Sequence, residues 1–68
     1  MITQKELAHS IADRRQKLGL SQIELAELGQ VSVSFITKLE AGQANPGFRQ
    51  LNRVLDAVGL ALSITVKS

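Results

Sequence analysis

Five residues inside seven positions, Ser32, Val33, Ser34, Thr37 and Lys38, hold the most usable chemistry in this sequence. At helical spacing Val33, Ser34, Thr37 and Lys38 fall on or beside one face, opposite Phe35, Ile36 and Leu39. Short side chains allow close approach to another molecule. Hydroxyls donate or accept, lysine adds a positive charge, and valine can meet a thymine methyl, so the set suits base edges in a DNA groove. Each residue taken alone fits an ordinary solvated helix equally well; the shared face distinguishes the two readings. Reactions are poorly served. There is no nucleophile elbow, no glycine-rich phosphate loop, and no His or Cys pair at metal-ligand spacing. The expectation is therefore a non-enzyme without cofactor or metal, and solitary His9 is an ordinary surface residue.

The stretch from Ser21 to Glu40 has to position that face, and it writes two short helices back to back. Leu20 and Ser21 ahead of Glu24 and Leu25 form a hydrophobic staple and capping box, so a helix starts at Gln22. Gly29 and Gln30 interrupt it. Val31 and Ser32 repeat the start signal, with Ser32 as cap and Val31 able to pack on Ile36; the second helix runs to about Ala41, where Gly42 ends it. Small Ala26 lies where the two would cross. At the amino end of the first of this pair, N–H groups beside Ser21 and Gln22 point outward and suit a phosphate; Gln43 and Asn45, after the second, are the other candidates for such a contact.

Two short helices joined by a tight turn make a helix-turn-helix, and residues 20–42, LSQIELAELGQVSVSFITKLEAG, resemble the Cro and phage-repressor class, also called XRE-type. In that family a glutamine opens the first motif helix, Leu-Ala occupies its middle, and Val-Ser leads into the recognition helix. The resemblance implies a mainly α, lambda-repressor-like four-helix domain. It also implies that Ser32, Val33, Ser34, Thr37 and Lys38 lie nearest the bases, and that Arg15, four residues before Gly19-Leu20, pairs with Glu40. One departure stands out: Gln30 occupies the turn position where the family usually has glycine, and a left-handed conformation there would cost about 1–2 kcal/mol.

With 68 residues the chain makes one domain and buries only about 60% of its unfolded surface, so packing or a second subunit has to supply stability in the absence of cysteine. Its formal charge of +2 favours a polyanion only weakly. With no long apolar run and no leader pattern, the expected setting is cytoplasmic, away from membranes. A first helix is expected from Gln4 to Leu18, capped by Thr3 with Ile2 and Leu7 as staple. Its buried stripe is Leu7, Ala8, Ile11 and Leu18. Arg14 and Lys17 near its end either satisfy the helix dipole or reach phosphate. A fourth helix should start at Asn45-Pro46 and run to about Val58, burying Phe48, Leu51, Val54, Leu55 and Val58.

Beyond Gly59 the period changes from 3.6 to 2. Leu60, Leu62, Ile64 and Val66 alternate with Ala61, Ser63, Thr65 and Lys67, which predicts a half-buried strand. The chain thus divides into a DNA-binding domain, 1–59, and a dimerisation strand, 60–68. A lone strand needs a neighbour, and the same strand from a second copy would complete an intermolecular sheet in a homodimer; the other reading is a frayed tail. Four helices ending in such a strand look most like HipB-type antitoxins of HipBA-like toxin-antitoxin systems. That resemblance implies a dimeric repressor that acts on an inverted-repeat operator in double-stranded DNA, autoregulates its operon and binds a HipA-like kinase toxin. A stand-alone phage-type or regulatory repressor is the alternative, as is a helix-turn-helix interaction module that does not bind DNA.

Overall fold

Local signals decide where each helix begins. In the computed structural model, which describes residues 3–66, four helices follow in order: α1 Gln4–Lys17, α2 Gln22–Gly29, α3 Val33–Glu40 and α4 Phe48–Ala57. Thr3 caps α1, its hydroxyl oxygen accepting from the Glu6 backbone N–H at 3.1 Å. The partner residue Ile2 in the expected staple lies outside the described residues, as does Lys67 in the expected strand. Ser21 caps α2 reciprocally: its hydroxyl accepts from Glu24 N at 3.0 Å, and the Glu24 carboxylate accepts from Ser21 N at 2.9 Å. Ser32 caps α3 through Phe35 N at 3.1 Å.

The Ser21 backbone N–H and then its hydroxyl hold Glu24 below its usual carboxylate range. A depressed pKa means that the folded state favours the ionised form, so the stabilisation is present above about pH 4.3 and is lost as pH falls through the lower folded value. Thermal melts should show it: the stability difference between the wild type and Glu24→Gln shrinks as pH falls through that window. A difference that stays constant through it would place no linkage at the cap.

Side chains from all four helices meet in one core. Leu7, Ile11, Leu25, Ala26, Ile36, Leu39, Val54, Leu55 and Val58 form it, with Val31, Phe35, Leu51 and Leu60 packed around its edge. Three details differ from the expectations above. Leu18 is 48% exposed, because α1 ends at Lys17 and Leu18 is already its carboxyl cap. α4 starts two residues late, with Gly47 as its cap and no side-chain hydrogen bond, so Asn45-Pro46 precedes the helix and does not open it. Phe48 then occupies the first turn and is 73% exposed.

The turn between α2 and α3 explains its own unusual sequence. Gln30 is left-handed at φ 57°, the non-glycine residue with positive φ among the described residues. Gly29 instead lies buried where α2 meets α4, and a Cβ there would stand 3.4 Å from Val54 Cγ2. The glycine of this turn thus sits at ordinary contact distance from α4, while Gln30 takes the left-handed conformation at a cost of about 1–2 kcal/mol.

Residues 60–66 form no strand in the single chain. Leu60 turns back onto the core, its N–H donating to Leu55 O at 2.8 Å, whereas Ile64 and Val66 are fully exposed. A β-ladder needs a second backbone to pair with, and among the described residues no other segment is a strand that offers one. Among the described residues no helix is long and apolar enough to cross a membrane.

Candidate nucleic-acid interface

The buried face of α3 fixes what its other face can show. Ile36 and Leu39 are inserted into the core and Phe35 is half-buried, which leaves Val33, Ser34, Thr37 and Lys38 exposed on a continuous arc, with Ser32 exposed at its start. Charge on that arc has one sign. Glu40, the acid of α3, faces inward, and among the described residues Lys38 has no ion-pair partner. The arc thus combines three short hydroxyl side chains, a valine that is 44% exposed and a free ammonium.

Behind the arc lies a chain of polar contacts that ties three helices together. Arg15, from α1, donates through Nε to Glu40 Oε2 at 2.7 Å and through Nη2 to Glu40 Oε1 at 3.0 Å, a two-pronged contact. Arg15 Nη1 donates to the Leu20 carbonyl at 2.8 Å, holding the segment that leads into α2. The hydrogen bond from Glu40 holds Arg15 above its ordinary value, against the opposing effect of burial. Side-chain exposure is 14% for Arg15 and 7% for Glu40, so both charges are largely withdrawn from water.

Gln22, at the first position of α2, continues the chain. Its Nε2 donates to Glu40 Oε1 at 3.2 Å, and its Oε1 accepts from the Thr37 hydroxyl at 3.2 Å. Sequence patterns did not foretell these contacts, since they span 18 and 15 residues and no local periodicity encodes them. Gln22 is therefore half-buried between α2 and α3, with its side chain turned toward α3. Ser21, Gln43 and Asn45 are exposed, Ser21 beside the amino end of α2 and the other two in the connection after α3. Of the cations near the end of α1, Arg14 donates from Nε to the Val58 carbonyl at 3.0 Å, securing the end of α4, and Lys17 pairs with Asp13 at 3.0 Å one turn away.

An exposed polar arc on the second of two short helices, set at a tight turn and backed by a part-buried ion pair, has a counterpart among known proteins: the helix-turn-helix family profile matches residues 11–64. The chain belongs to the helix-turn-helix family. A relative from Haemophilus influenzae, an uncharacterized HTH-type transcriptional regulator, is 38% identical over 58 residues, covering 85% of this chain. Those residues amount to 59% of that relative, so the chain spans about three fifths of its length. In helix-turn-helix terms α2 and α3 are the motif pair, with α3 in the place of the recognition helix.

Proposed function

We propose that the chain is a sequence-specific DNA-binding transcriptional repressor that reads the major groove with α3. The observation that carries the proposal is the exposed arc itself: Ser32, Val33, Ser34, Thr37 and Lys38 are free to meet bases while Ile36 and Leu39 anchor the helix from behind. Phosphate contacts would fall to the amino end of α2 at Ser21 and Gln22, there through backbone N–H groups that the Ser21–Glu24 cap leaves free and not through the Gln22 side chain, and to Gln43 and Asn45. In a helix's first turn the leading N–H groups have no partner within the helix, and they favour an anion.

Ser34 and Lys38 have no side-chain hydrogen bond or ion pair within the described residues, so removing either perturbs little besides a contact with DNA. Gel-shift titrations of Ser34→Ala and Lys38→Ala should each lose about 1–3 kcal/mol on a preferred duplex, with discrimination relaxed at one position. Unchanged discrimination in both variants would remove the assignment.

The finer reading is a homodimeric antitoxin of HipBA-like type, in which the tails beyond Leu60 pair across a two-fold axis and a HipA-like kinase toxin is the partner. Support for the dimer lies in the apolar side chains Leu62, Ile64 and Val66, which alternate in the sequence and are exposed, Ile64 and Val66 fully so among the described residues. Support for the toxin is the resemblance of overall plan, and co-purification with the product of a neighbouring kinase-like gene tests it. An interaction module without DNA binding is the competing function. It predicts no preference among duplexes.

A further inference from the structure

Hydrogen-bond polarity along this chain of contacts ends at a hydroxyl that faces the proposed DNA site. Arg15 only donates and the ionised Glu40 carboxylate only accepts, so the group of Gln22 that meets Glu40 has to be its NH2. This fixes the orientation of the Gln22 amide and leaves its oxygen toward Thr37. The Thr37 hydroxyl lies 3.2 Å from that oxygen and 3.0 Å from the Val33 carbonyl, and both neighbours are acceptors. A hydroxyl has a single proton, which either neighbour holds on the protein side. What Thr37 presents outward is therefore lone pairs and a methyl group. Ser32 differs: its oxygen already accepts from Phe35 N, so its proton remains available.

We infer that Thr37 reads a base carrying an exocyclic amino group in the major groove, adenine through N6 or cytosine through N4, with Gln22 as a positioning residue that, together with the Val33 carbonyl, keeps the hydroxyl proton on the protein side. In the major groove those two amino groups are the donors, whereas guanine and thymine present acceptors there. The inference rests on α3 reading DNA as proposed above. It adds a restriction that exposure alone does not give: a hydroxyl with a free proton accepts either class of base, and Thr37 does not. It also gives Gln22 a role distinct from phosphate contact, which would be indifferent to sequence.

The test uses the full chain and a duplex enriched from a random pool. At each adenine the base is replaced by purine, and at each cytosine by its analogue lacking N4, so that one amino group is removed at a time; affinities are compared for the wild type and Thr37→Val, which keeps the shape and loses the hydroxyl. The wild type should lose about two- to tenfold at one position, and Thr37→Val should be insensitive to the same change. Gln22→Ala should lose part of that selectivity at the same base pair, because the Val33 carbonyl still holds the proton, and it should leave affinity for random duplex unchanged. Equal sensitivity of the wild type and Thr37→Val at every amino group overturns the inference, as does coupling of Thr37 to a guanine or thymine acceptor. Gln22→Ala weakening all duplexes equally overturns its positioning role. A pool that yields no preferred duplex overturns the DNA-reading proposal, and this inference with it; a preferred duplex bound equally by the wild type and Thr37→Val overturns this inference alone.

Discussion

Replacing either Arg15 or Glu40 by alanine should lower the stability of the domain by about 3–5 kcal/mol, because each leaves the other charge largely buried without its ionic partner. After Arg15→Ala, Glu40 retains only the Gln22 amide; after Glu40→Ala, Arg15 retains only the Leu20 carbonyl. Replacing both by apolar residues of similar volume should cost far less than the sum, since no charge then stays behind in the interior. Denaturant melts of the two single variants and the double variant measure this. Small, additive effects of about 1 kcal/mol or less would mean that the pair behaves as an exposed one. The raised value of Arg15 means that its contribution is fully present below the ordinary arginine range and is lost only above it, so Arg15 itself adds no pH dependence near neutrality.

The tail is the second place where a large effect is expected. Leu60 belongs to the fold, packed on the core and hydrogen-bonded to Leu55, so deleting from Ala61 onward removes the exposed segment and spares that anchor. If Leu62, Ile64 and Val66 pair with a second copy, each could contribute roughly 1.5–3 kcal/mol on full burial, before the opposing costs of ordering and association. The truncated chain should then sediment as a monomer, melt at a lower temperature and lose most of its preference for an inverted repeat over a single half-site. A truncation that stays dimeric at micromolar concentration would assign the interface to helices and remove the tail from it.

These two regions also mark how far the sequence can be read. The helix-turn-helix was legible because its determinants are local: Ser21 with Glu24, Ser32 ahead of Phe35, and an apolar stripe of Ile36 and Leu39 all act within a turn or two. The start of α4 was less legible, since a glycine cap makes no side-chain hydrogen bond and so leaves a weaker local signal than Asn45-Pro46. Leu18 and Phe48 satisfied the helical period yet sit at helix ends, where periodicity says nothing about whether the core extends that far. Gly29 was visible as a turn glycine, but its contact with Val54 is tertiary. Gln22 illustrates the same limit within the candidate site, because its position at the start of α2 pointed to phosphate whereas its side-chain bonds run to Glu40 and Thr37. The strand pattern of the tail is legible as alternation alone, and among the described residues no strand lies beside it to pair with.

Whether α3 reads base sequence is tested by selection from a random duplex pool. Repeated binding to the full chain at fixed salt should enrich an inverted repeat whose half-sites lie about one helical turn apart, on the order of 34 Å. The enriched duplex should bind at least about a thousandfold more tightly than random DNA at the same salt. A final pool indistinguishable from the starting one, with an affinity that falls with salt equally for every duplex, would reduce the interaction to phosphate contact and contradict the account.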